Sequence, residues 1–273
     1  FQVLINDGDE VIIPAPYWLS YPQMVKLAGG KPIFLNSFAE EGFKININEL
    51  KSKISSKTKF IIINSPNNPT GRVMSKEELL QIAEIARENP NINILSDEIY
   101  ELILKKEFNH YSLSTLANDL KERIFIINGF AKGWSMTGWR IGYLVGAKNV
   151  IKASSALQSQ STSNVCSFVQ KGALEALKIN NEYFSMTNST YDKKRTLLYE
   201  GLRNIKGIYI HEPNGAFYAF PRLPDSSITS VDFCKKALQD YGLVVVPGKA
   251  FGADECIRMS CAASEIKIKD GIE

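Results

Sequence analysis

The stretch R-I-F-I-I-N-G-F-A-K-G-W-S-M-T-G-W-R-I-G-Y-L-V-G, residues 123–146, decides the fold. Two apolar runs, Ile124 to Ile127 and Ile141 to Val145, flank a polar loop that contains Lys132 and Arg140. Apolar runs of this length, bounded by glycine and asparagine, predict strands. The stretch therefore predicts a strand, a loop and a second strand, with an amine and a guanidinium held between buried elements. Taken alone, such a pair is more often part of a solvated turn.

Strands alternate with helices on either side of this stretch. An apolar strand predicted at Lys59 to Ile63 precedes S-P-N-N-P-T-G, and a helix with a capping box begins at Ser75, with Glu78 three residues later. A further strand, Asn93 to Leu95, precedes S-D-E-I-Y. This alternation predicts an α/β fold, with a mostly parallel sheet sandwiched by helices. Because the apolar runs do not alternate with polar residues, both faces of the sheet are expected to be covered.

The pattern changes near residue 185. A long polar helix from about Met186 to Leu202 precedes short strands predicted at Ile208 to Ile210 and at Leu243 to Val246. We therefore expect a large domain at 1–185 and a smaller α+β domain at 186–273. The chain starts without methionine and stops within a charged, helix-like segment, so we interpret it as a fragment that lacks the N-terminal part and is truncated at its end.

Composition excludes several functional classes. The chain has 273 residues, of which 44% are hydrophobic and 22% charged, as in ordinary globular proteins. A net charge of +3 argues against nucleic acid as a partner. Four cysteines without a C-x-x-C pair and two distant histidines argue against a metal site and favour the reducing cytoplasm. No apolar run reaches membrane-spanning length, so we expect no membrane partner.

Six polar or aromatic residues follow predicted strands, where open α/β sheets bind their ligands. They are Trp18, Asn68, Asp97, Tyr100, Lys132 and Arg140. Neither G-x-G-x-x-G nor G-x-x-x-x-G-K-[ST] occurs, which argues against nicotinamide and nucleoside triphosphate ligands. A flat, phosphorylated aldehyde cofactor with a basic ring nitrogen would use all six side chains. Simpler interpretations exist for single residues: a helix cap for Asp97, a core residue for Trp18 and a turn residue for Asn68.

Together, S-P-N-N-P-T-G, S-D-E-I-Y and N-G-F-A-K-G-W-S-M-T-G-W-R-I-G-Y resemble the signature blocks of the class I/II aminotransferases. These are pyridoxal-phosphate-dependent enzymes of the aspartate aminotransferase family, with fold type I. P-A-P-Y-W-L-S-Y-P and C-I-R-M-S-C-A extend the resemblance over essentially the whole chain. The run Q-S-Q-S-T-S-N, residues 158–164, resembles the bacterial aspartate-type subgroup, some members of which also accept prephenate.

The resemblance implies a role for each cofactor-binding residue. Lys132 forms the Schiff base with pyridoxal 5'-phosphate and then moves the substrate Cα proton. Asp97 pairs with the protonated pyridine nitrogen. Asn68 and Tyr100 hydrogen-bond to the oxygen on the cofactor ring, and Trp18 stacks on the ring. Lys132, Asp97 and Tyr100 are thus the catalytic candidates.

The resemblance also implies the anion-binding residues. Arg140 binds the phosphate and Arg258 the substrate α-carboxylate, with Asn68 and Trp18 completing the substrate pocket. The peptide bonds before Pro16 and Pro69 are expected to be cis.

Two departures from the family concern the phosphate site. Many relatives have serine three residues before the lysine, whereas this chain has Gly129; Ser135 or a backbone N–H is a candidate substitute donor. In relatives, the segment before the position of Phe1 supplies a helix N-terminus for the phosphate and a tyrosine that reaches the neighbouring subunit's cofactor. This chain alone is therefore expected to bind cofactor weakly or not at all.

The implied reaction is a ping-pong transamination between an L-amino acid, with aspartate as the best guess, and a 2-oxo acid such as 2-oxoglutarate. No arginine lies between Lys152 and Lys171, where some aspartate enzymes have one for the distal carboxylate. We expect a homodimer with shared active sites. Two alternatives remain open: a carbon–sulfur lyase of the same fold, and an aminotransferase-like effector domain of a transcription regulator.

Overall fold

A computed structural model describes residues 1–224 and 227–273, and its larger sheet has six strands. The strands β1–β6 lie at Glu10–Pro14, Lys31–Leu35, Thr58–Asn64, Asn93–Asp97, Ile124–Gly129 and Gly142–Val145. Their order is β2-β1-β3-β4-β5-β6. The first five are parallel, and β6 pairs antiparallel with β5. This confirms the predicted α/β class with a mostly parallel sheet.

Nine α-helices occur in the described ranges, and most of them connect the strands. The helices α1–α9 lie at Ser20–Leu27, Ile47–Ser52, Lys76–Glu88, Leu113–Leu116, Lys148–Ser159, Ser167–Ala176, Asn181–Arg203, Ser230–Tyr241 and Glu265–Asp270. Short 3-10 segments lie at Ala39–Glu41, Asn118–Arg123, Thr137–Trp139 and Gly248–Phe251. The capping box predicted for α3 is present: the Ser75 hydroxyl accepts from the Glu78 N–H, and the Glu78 carboxylate accepts from the Ser75 N–H. Among the described helices, none has the length and apolarity that a membrane span requires.

Both faces of the central strands are buried, which explains their unbroken apolar runs. Alternate residues of a strand point to opposite faces of the sheet. On β1, Ile12 packs in the cluster that contains α3, whereas Val11 and Ile13 pack with α1 on the other face. The same alternation places Ile61 of β3 with α3, and Ile62 with α1. The sheet is therefore held by two separate apolar layers.

The edge strand β6 departs from the expectation. The run Ile141 to Val145 was predicted to be a buried strand, but all four residues of Gly142–Val145 are exposed. The reason is positional: β6 is the last strand in the order, and none of the described strands pairs with its outer edge. The loop with Lys132 and Arg140 therefore lies between one central strand and one edge strand.

A second, smaller sheet lies in the C-terminal part. Its strands β7–β9 lie at Tyr218–Ala219, Val246–Pro247 and Ile257–Ser260, in the antiparallel order β7-β9-β8. The predicted strand at Ile208 to Ile210 is wrong, because only an isolated bridge between Tyr209 and Arg222 forms there. The strand predicted at Leu243 to Val246 begins only at Val246, since the chain before it leaves α8 through Gly242 in the left-handed conformation.

The loop S-P-N-N-P-T-G joins the two sheets at Gly71. This residue has φ +70°, and its carbonyl oxygen accepts hydrogen bonds from the N–H groups of Asn214 and Gly215. A Cβ at this position would lie 2.6 Å from Pro213 Cβ and 2.7 Å from the carbonyl oxygen of Tyr218. Only glycine allows this backbone conformation and this close approach together.

We expect substitutions on α3 to separate the buried face from the exposed face. Ile82 is fully buried against the sheet, so Ile82→Ala should lower the free energy of unfolding by about 2–5 kcal/mol. Leu80 lies two residues earlier and is 36% exposed, so Leu80→Ala should cost less than about 1 kcal/mol. Urea unfolding of both variants measures the difference, and equal losses would contradict this assignment of the helix faces.

Candidate active site

A cavity of about 440 Å³ lies where β3, β4 and β5 end. All seven residues singled out from the sequence line it: Trp18, Asn68, Asp97, Tyr100, Lys132, Arg140 and Arg258. They come from both sheets and from the four loops that follow β1, β3, β4 and β5. The structure therefore brings together side chains that are separated by up to 240 positions in the sequence (258 − 18).

Asn64, which the sequence analysis missed, connects two of these segments. It is the last residue of β3 and pairs with Asp97 across the sheet. Its amide donates to the Asp97 carbonyl oxygen at 3.0 Å, and its side-chain oxygen accepts from the Asn68 N–H at 2.9 Å. One buried side chain thus fixes the end of β4 relative to the loop that contains Asn68. A polar residue ending an apolar strand was the available signal.

Asp97 is a buried carboxylate without a cationic partner. Its Oδ2 accepts from the Tyr21 hydroxyl at 2.5 Å, and its Oδ1 accepts from the Ile99 N–H at 3.2 Å. Burial raises the pKa of this carboxyl group, and the hydrogen bonds from Tyr21 and Ile99 oppose that rise. Within the described residues, no lysine, arginine or histidine nitrogen lies within 4.0 Å of it. An added cation at this carboxylate would therefore be favourable.

Lys132 is a half-buried amine with a lowered pKa. Burial is the main cause, and the positive charges of Arg258 and Arg140 add to it. Its Nζ lies 5.8 Å from the centroid of the Tyr100 ring and 5.6 Å from that of the Phe217 ring. No described carboxylate forms an ion pair with it. These conditions favour the neutral, nucleophilic form of the amine.

Arg258 is held on three sides. Its NH1 donates to the Asn68 side-chain oxygen at 2.9 Å, and its Cζ lies 4.5 Å from the Tyr218 ring centroid and 4.9 Å from that of Phe251. Among the residues that the structure describes, no carboxylate lies within salt-bridge distance of it. The guanidinium is thus oriented by neutral groups and retains N–H donors for an anion.

The remaining candidates differ in exposure. Arg140 is exposed, has φ +54° and donates to the carbonyl oxygen of Thr137 at 3.0 Å. Trp18 is 37% exposed and contacts Tyr21 edge to face. Tyr100 is buried, and its hydroxyl lies 2.8 Å from the Tyr218 hydroxyl. Arg140 and Trp18 therefore form the open rim of the cavity, and Tyr100 forms part of its wall.

Gly129 is tightly enclosed. A Cβ there would lie 2.8 Å from the Gly142 Cα and 2.9 Å from the carbonyl oxygen of Ile141, so a serine requires β5 and β6 to move apart. Ser135, the candidate substitute donor, is exposed, and its hydroxyl accepts from Tyr183. It does not line the cavity, whereas Thr137 does.

Both predicted cis peptide bonds, Ala15–Pro16 and Asn68–Pro69, are present, and Ser65–Pro66 is also cis.

A second polar cluster adjoins Asp97. Buried Glu98 accepts from the hydroxyls of Ser96 and Ser112, and its other oxygen lies 3.1 Å from His110 Nε2. Together with Glu101, these side chains bring three potential metal ligands within 4.8 Å of one another. Glu98 already has three protein partners, whereas the buried Nδ1 of His110 has none among the described residues. The sequence analysis missed the cluster because His110 and Glu98 are 12 positions apart.

Comparison with known proteins identifies the family. The family model for aminotransferases of class I and II matches residues 1–272. The chain belongs to this family. The enzyme is therefore an aminotransferase, and its cofactor is pyridoxal phosphate, on which transamination in this family depends.

Similar proteins carry aspartate aminotransferase names. The chain is 44% identical to a probable aspartate/prephenate aminotransferase of Rickettsia felis, over 99% of this chain and 68% of the relative. It is 43% identical to an aspartate aminotransferase of Bacillus subtilis, over 100% of this chain and 70% of the relative. A solved aspartate aminotransferase of Thermus thermophilus with maleate superposes with a TM-score of 0.91 at 39% identity, covering 99% of this chain and 70% of that one.

The donors in this aminotransferase's cavity match the chemistry of pyridoxal phosphate. The unpaired carboxylate of Asp97 suits a protonated ring nitrogen, and the amine of Lys132 suits an aldehyde. The exposed guanidinium of Arg140 suits a phosphate, and the indole of Trp18 offers an aromatic face. The residues present therefore fit the cofactor that the family uses.

We expect the pH dependence of Lys132 reactivity to report its surroundings in the cofactor-free enzyme. Reductive methylation by formaldehyde, followed by peptide mass mapping, gives the pH midpoint at which Lys132 reacts. Arg258→Gln removes a neighbouring positive charge and should raise the Lys132 pKa, so the midpoint should move to higher pH. The exposed and distant substitution Arg203→Gln serves as the control. A midpoint that is unchanged in Arg258→Gln would contradict the coupling.

Proposed function

We propose that this aminotransferase transfers the amino group of aspartate, or of a similar acidic or aromatic L-amino acid, to a 2-oxo acid such as 2-oxoglutarate by a ping-pong mechanism. The observation that carries the proposal is the convergence on one cavity of a buried acid without a counter-ion, a low-pKa amine and a preoriented guanidinium. The amine and the guanidinium face a shared space, which suits a molecule with a carbonyl group and a carboxylate.

Seven side chains hold the cofactor and the substrate in this proposal. Asp97 neutralises the ring nitrogen, with its charge held in place by Tyr21. Asn68 and Tyr100 hydrogen-bond to the oxygen on the ring, Trp18 covers one ring face, and Arg140 binds the phosphate. When bound, pyridoxal phosphate supplies an electron-withdrawing ring that stabilises negative charge at the substrate Cα.

In this proposal Lys132 accepts and transfers the Cα proton of the substrate. With its pKa lowered by partial desolvation, this amine would be the group that condenses with the cofactor aldehyde, with release of water. When the substrate amine takes its place on the cofactor, Nζ would be free to accept the Cα proton of the amino acid and to deliver it two bonds away, across the amino nitrogen. A lowered pKa favours the neutral form of the Lys132 amine, which is the form that accepts a proton. The walls formed by Tyr100 and Phe217 limit water around Nζ.

Arg258 binds the α-carboxylate. Its contacts with Asn68, Tyr218 and Phe251 fix the plane of the guanidinium, so two parallel N–H groups can meet the two carboxylate oxygens. Because amino acid and 2-oxo acid share this carboxylate, one arginine serves both half-reactions. A lysine would offer no planar fork at this position.

The preference for aspartate is supported by the relatives rather than by a distal subsite. The cationic residues that line the described cavity are Lys132, Arg140 and Arg258. With these three assigned, none of the described lining residues remains to bind a second carboxylate. The names of the Rickettsia and Bacillus relatives and the maleate in the Thermus structure support a dicarboxylic substrate.

We further propose the arrangement of the whole enzyme. The large domain comprises residues 1–185 and holds the cofactor, and the small domain comprises residues 186–273 and contributes Arg258. The separate antiparallel sheet and its own apolar cluster support this division. We also propose a cytoplasmic homodimer with shared active sites. The names of the relatives favour transamination over the carbon–sulfur lyase and over the transcription-regulator domain.

The test follows the visible absorption band of the cofactor-loaded protein while single amino acids are added. Aspartate should convert the band to that of pyridoxamine phosphate without a 2-oxo acid present, and 2-oxoglutarate should restore it. Release of pyruvate and ammonia would instead favour the lyase. Lys132→Ala should show neither the starting band nor turnover; a band that is unchanged in this variant would contradict the proposed mechanism.

Arg258→Gln should raise KM for both the amino acid and the 2-oxo acid by about 30-fold or more, because the carboxylate loses a charge-assisted, bidentate partner. The cofactor band should be retained, since Arg258 is assigned to the substrate. Steady-state kinetics with each substrate varied in turn measures this. An effect on only one of the two substrates would contradict a shared carboxylate site.

A further inference from the structure

Tyr218, on β7 of the small sheet, contacts both halves of the cavity. Its hydroxyl lies 2.8 Å from that of Tyr100, on the proposed cofactor side. The face of its ring lies 4.5 Å from the guanidinium carbon of Arg258, on the proposed substrate side. The side chain is buried and lines the cavity. No other described residue both hydrogen-bonds to Tyr100 and stacks on Arg258.

We propose that Tyr218 is a positioning residue with two separable actions: its hydroxyl orients the hydroxyl of Tyr100, and its ring face orients the guanidinium of Arg258. The inference rests on the roles proposed above for Tyr100 and Arg258.

The hydroxyl action follows from counting protons. Each phenol has one O–H donor and can accept further hydrogen bonds. If Tyr100 is to donate to an oxygen on the cofactor ring, it cannot also donate to Tyr218, so Tyr218 must donate to Tyr100. The two hydroxyls then form a chain directed toward the cofactor, in which each hydrogen bond strengthens the next.

The ring action follows from the position of Arg258. The guanidinium lies against the rings of Tyr218 and Phe251, and its NH1 bonds to Asn68. A guanidinium is attracted to the face of an aromatic ring, and phenylalanine retains that face whereas leucine does not. The hydroxyl and the ring can therefore be removed separately.

The backbone of β7 leaves Tyr218 little freedom to move. Tyr218 pairs with Ser260 of β9, and the N–H of Ala216 donates to the carbonyl oxygen of Ile103. The carbonyl oxygen of Tyr218 lies against Gly71, where even a Cβ would approach it to 2.7 Å. The side chain of Tyr218 is thus supported by a backbone that contacts both the small sheet and the loops that follow β3 and β4.

Both phenols remain protonated at neutral pH. Burial raises the pKa of Tyr100 and also that of Tyr218. The charged or titratable groups that face the pair are Asp97, Lys132, Arg258, Tyr21, Tyr191 and Cys261. The hydrogen bond between the two hydroxyls therefore persists at neutral pH.

The experiment uses the complete natural protein loaded with pyridoxal phosphate and compares Tyr218→Phe with Tyr218→Leu. Tyr241→Phe is the matched control, because Tyr241 is 82% exposed. Two quantities are measured for each protein: the pH midpoint of the visible cofactor band, and the Kd for maleate as a non-reacting carboxylate. Melting temperatures record any loss of stability.

Tyr218→Phe should raise the band midpoint by about half a pH unit and leave the maleate Kd unchanged. Without the relayed hydrogen bond, more negative charge stays on the ring oxygen, so the cofactor-bonded nitrogen of Lys132 retains its proton to higher pH. Tyr218→Leu should show the same midpoint shift and also raise the maleate Kd by about 5- to 20-fold, through loss of the ring face. Tyr241→Phe should change neither quantity.

Three outcomes would overturn the inference. An unchanged midpoint in Tyr218→Phe excludes the hydroxyl action, and an unchanged Kd in Tyr218→Leu excludes the ring action. Changes in both quantities in Tyr218→Phe would indicate a general structural role. These outcomes are distinct from failure of the proposed function, in which the wild-type protein itself would lack a titrating band or saturable maleate binding.

Discussion

The burial of Asp97 at the end of β4 is the constraint on which the rest of the site depends. An unpaired carboxylate inside a protein costs free energy, and the raised pKa of Asp97 reflects that cost. The hydroxyl of Tyr21 and the N–H of Ile99 reduce it, and Asn64 fixes the backbone carbonyl of Asp97. All of them are neutral. The fold thus stabilises a negative charge without neutralising it and leaves the carboxylate available to a cationic ligand.

The cations that line the cavity are likewise held without counter-ions. Lys132 and Arg258 have no described carboxylate in contact, and their mutual repulsion helps to lower the lysine pKa. Aromatic rings and an amide hold the arginine in place of an ion pair. Charges of both signs are therefore held apart by neutral side chains until ligands arrive. Each of these groups remains available for a ligand because the protein has not paired it.

Much of this could be predicted from the sequence. The parallel sheet followed from unbroken apolar runs. Six candidate residues followed from motifs that end strands, and Arg258 followed from the family resemblance; the structure places all seven around one cavity. The contacts between distant segments could not be predicted. Asn64 and Tyr218 belong to none of the quoted motifs, and Tyr21 lies in P-A-P-Y-W-L-S-Y-P, where nothing in the sequence indicates its bond to Asp97. The exposure of β6 could not be predicted from its sequence either, because an edge strand and a central strand can have equally apolar sequences. The strands of the small sheet contain only two to four residues each, which is too few for a periodic pattern to be recognised in the sequence.

The most direct test of the central claim is to find which amine meets the cofactor aldehyde. Treating the protein loaded with pyridoxal phosphate with sodium borohydride fixes the cofactor to whichever amine it has condensed with, and peptide mass mapping then locates the added mass. The account predicts stoichiometric labelling at Lys132 and none in the Lys132→Ala variant. Labelling at another lysine, or equal labelling in that variant, would contradict it.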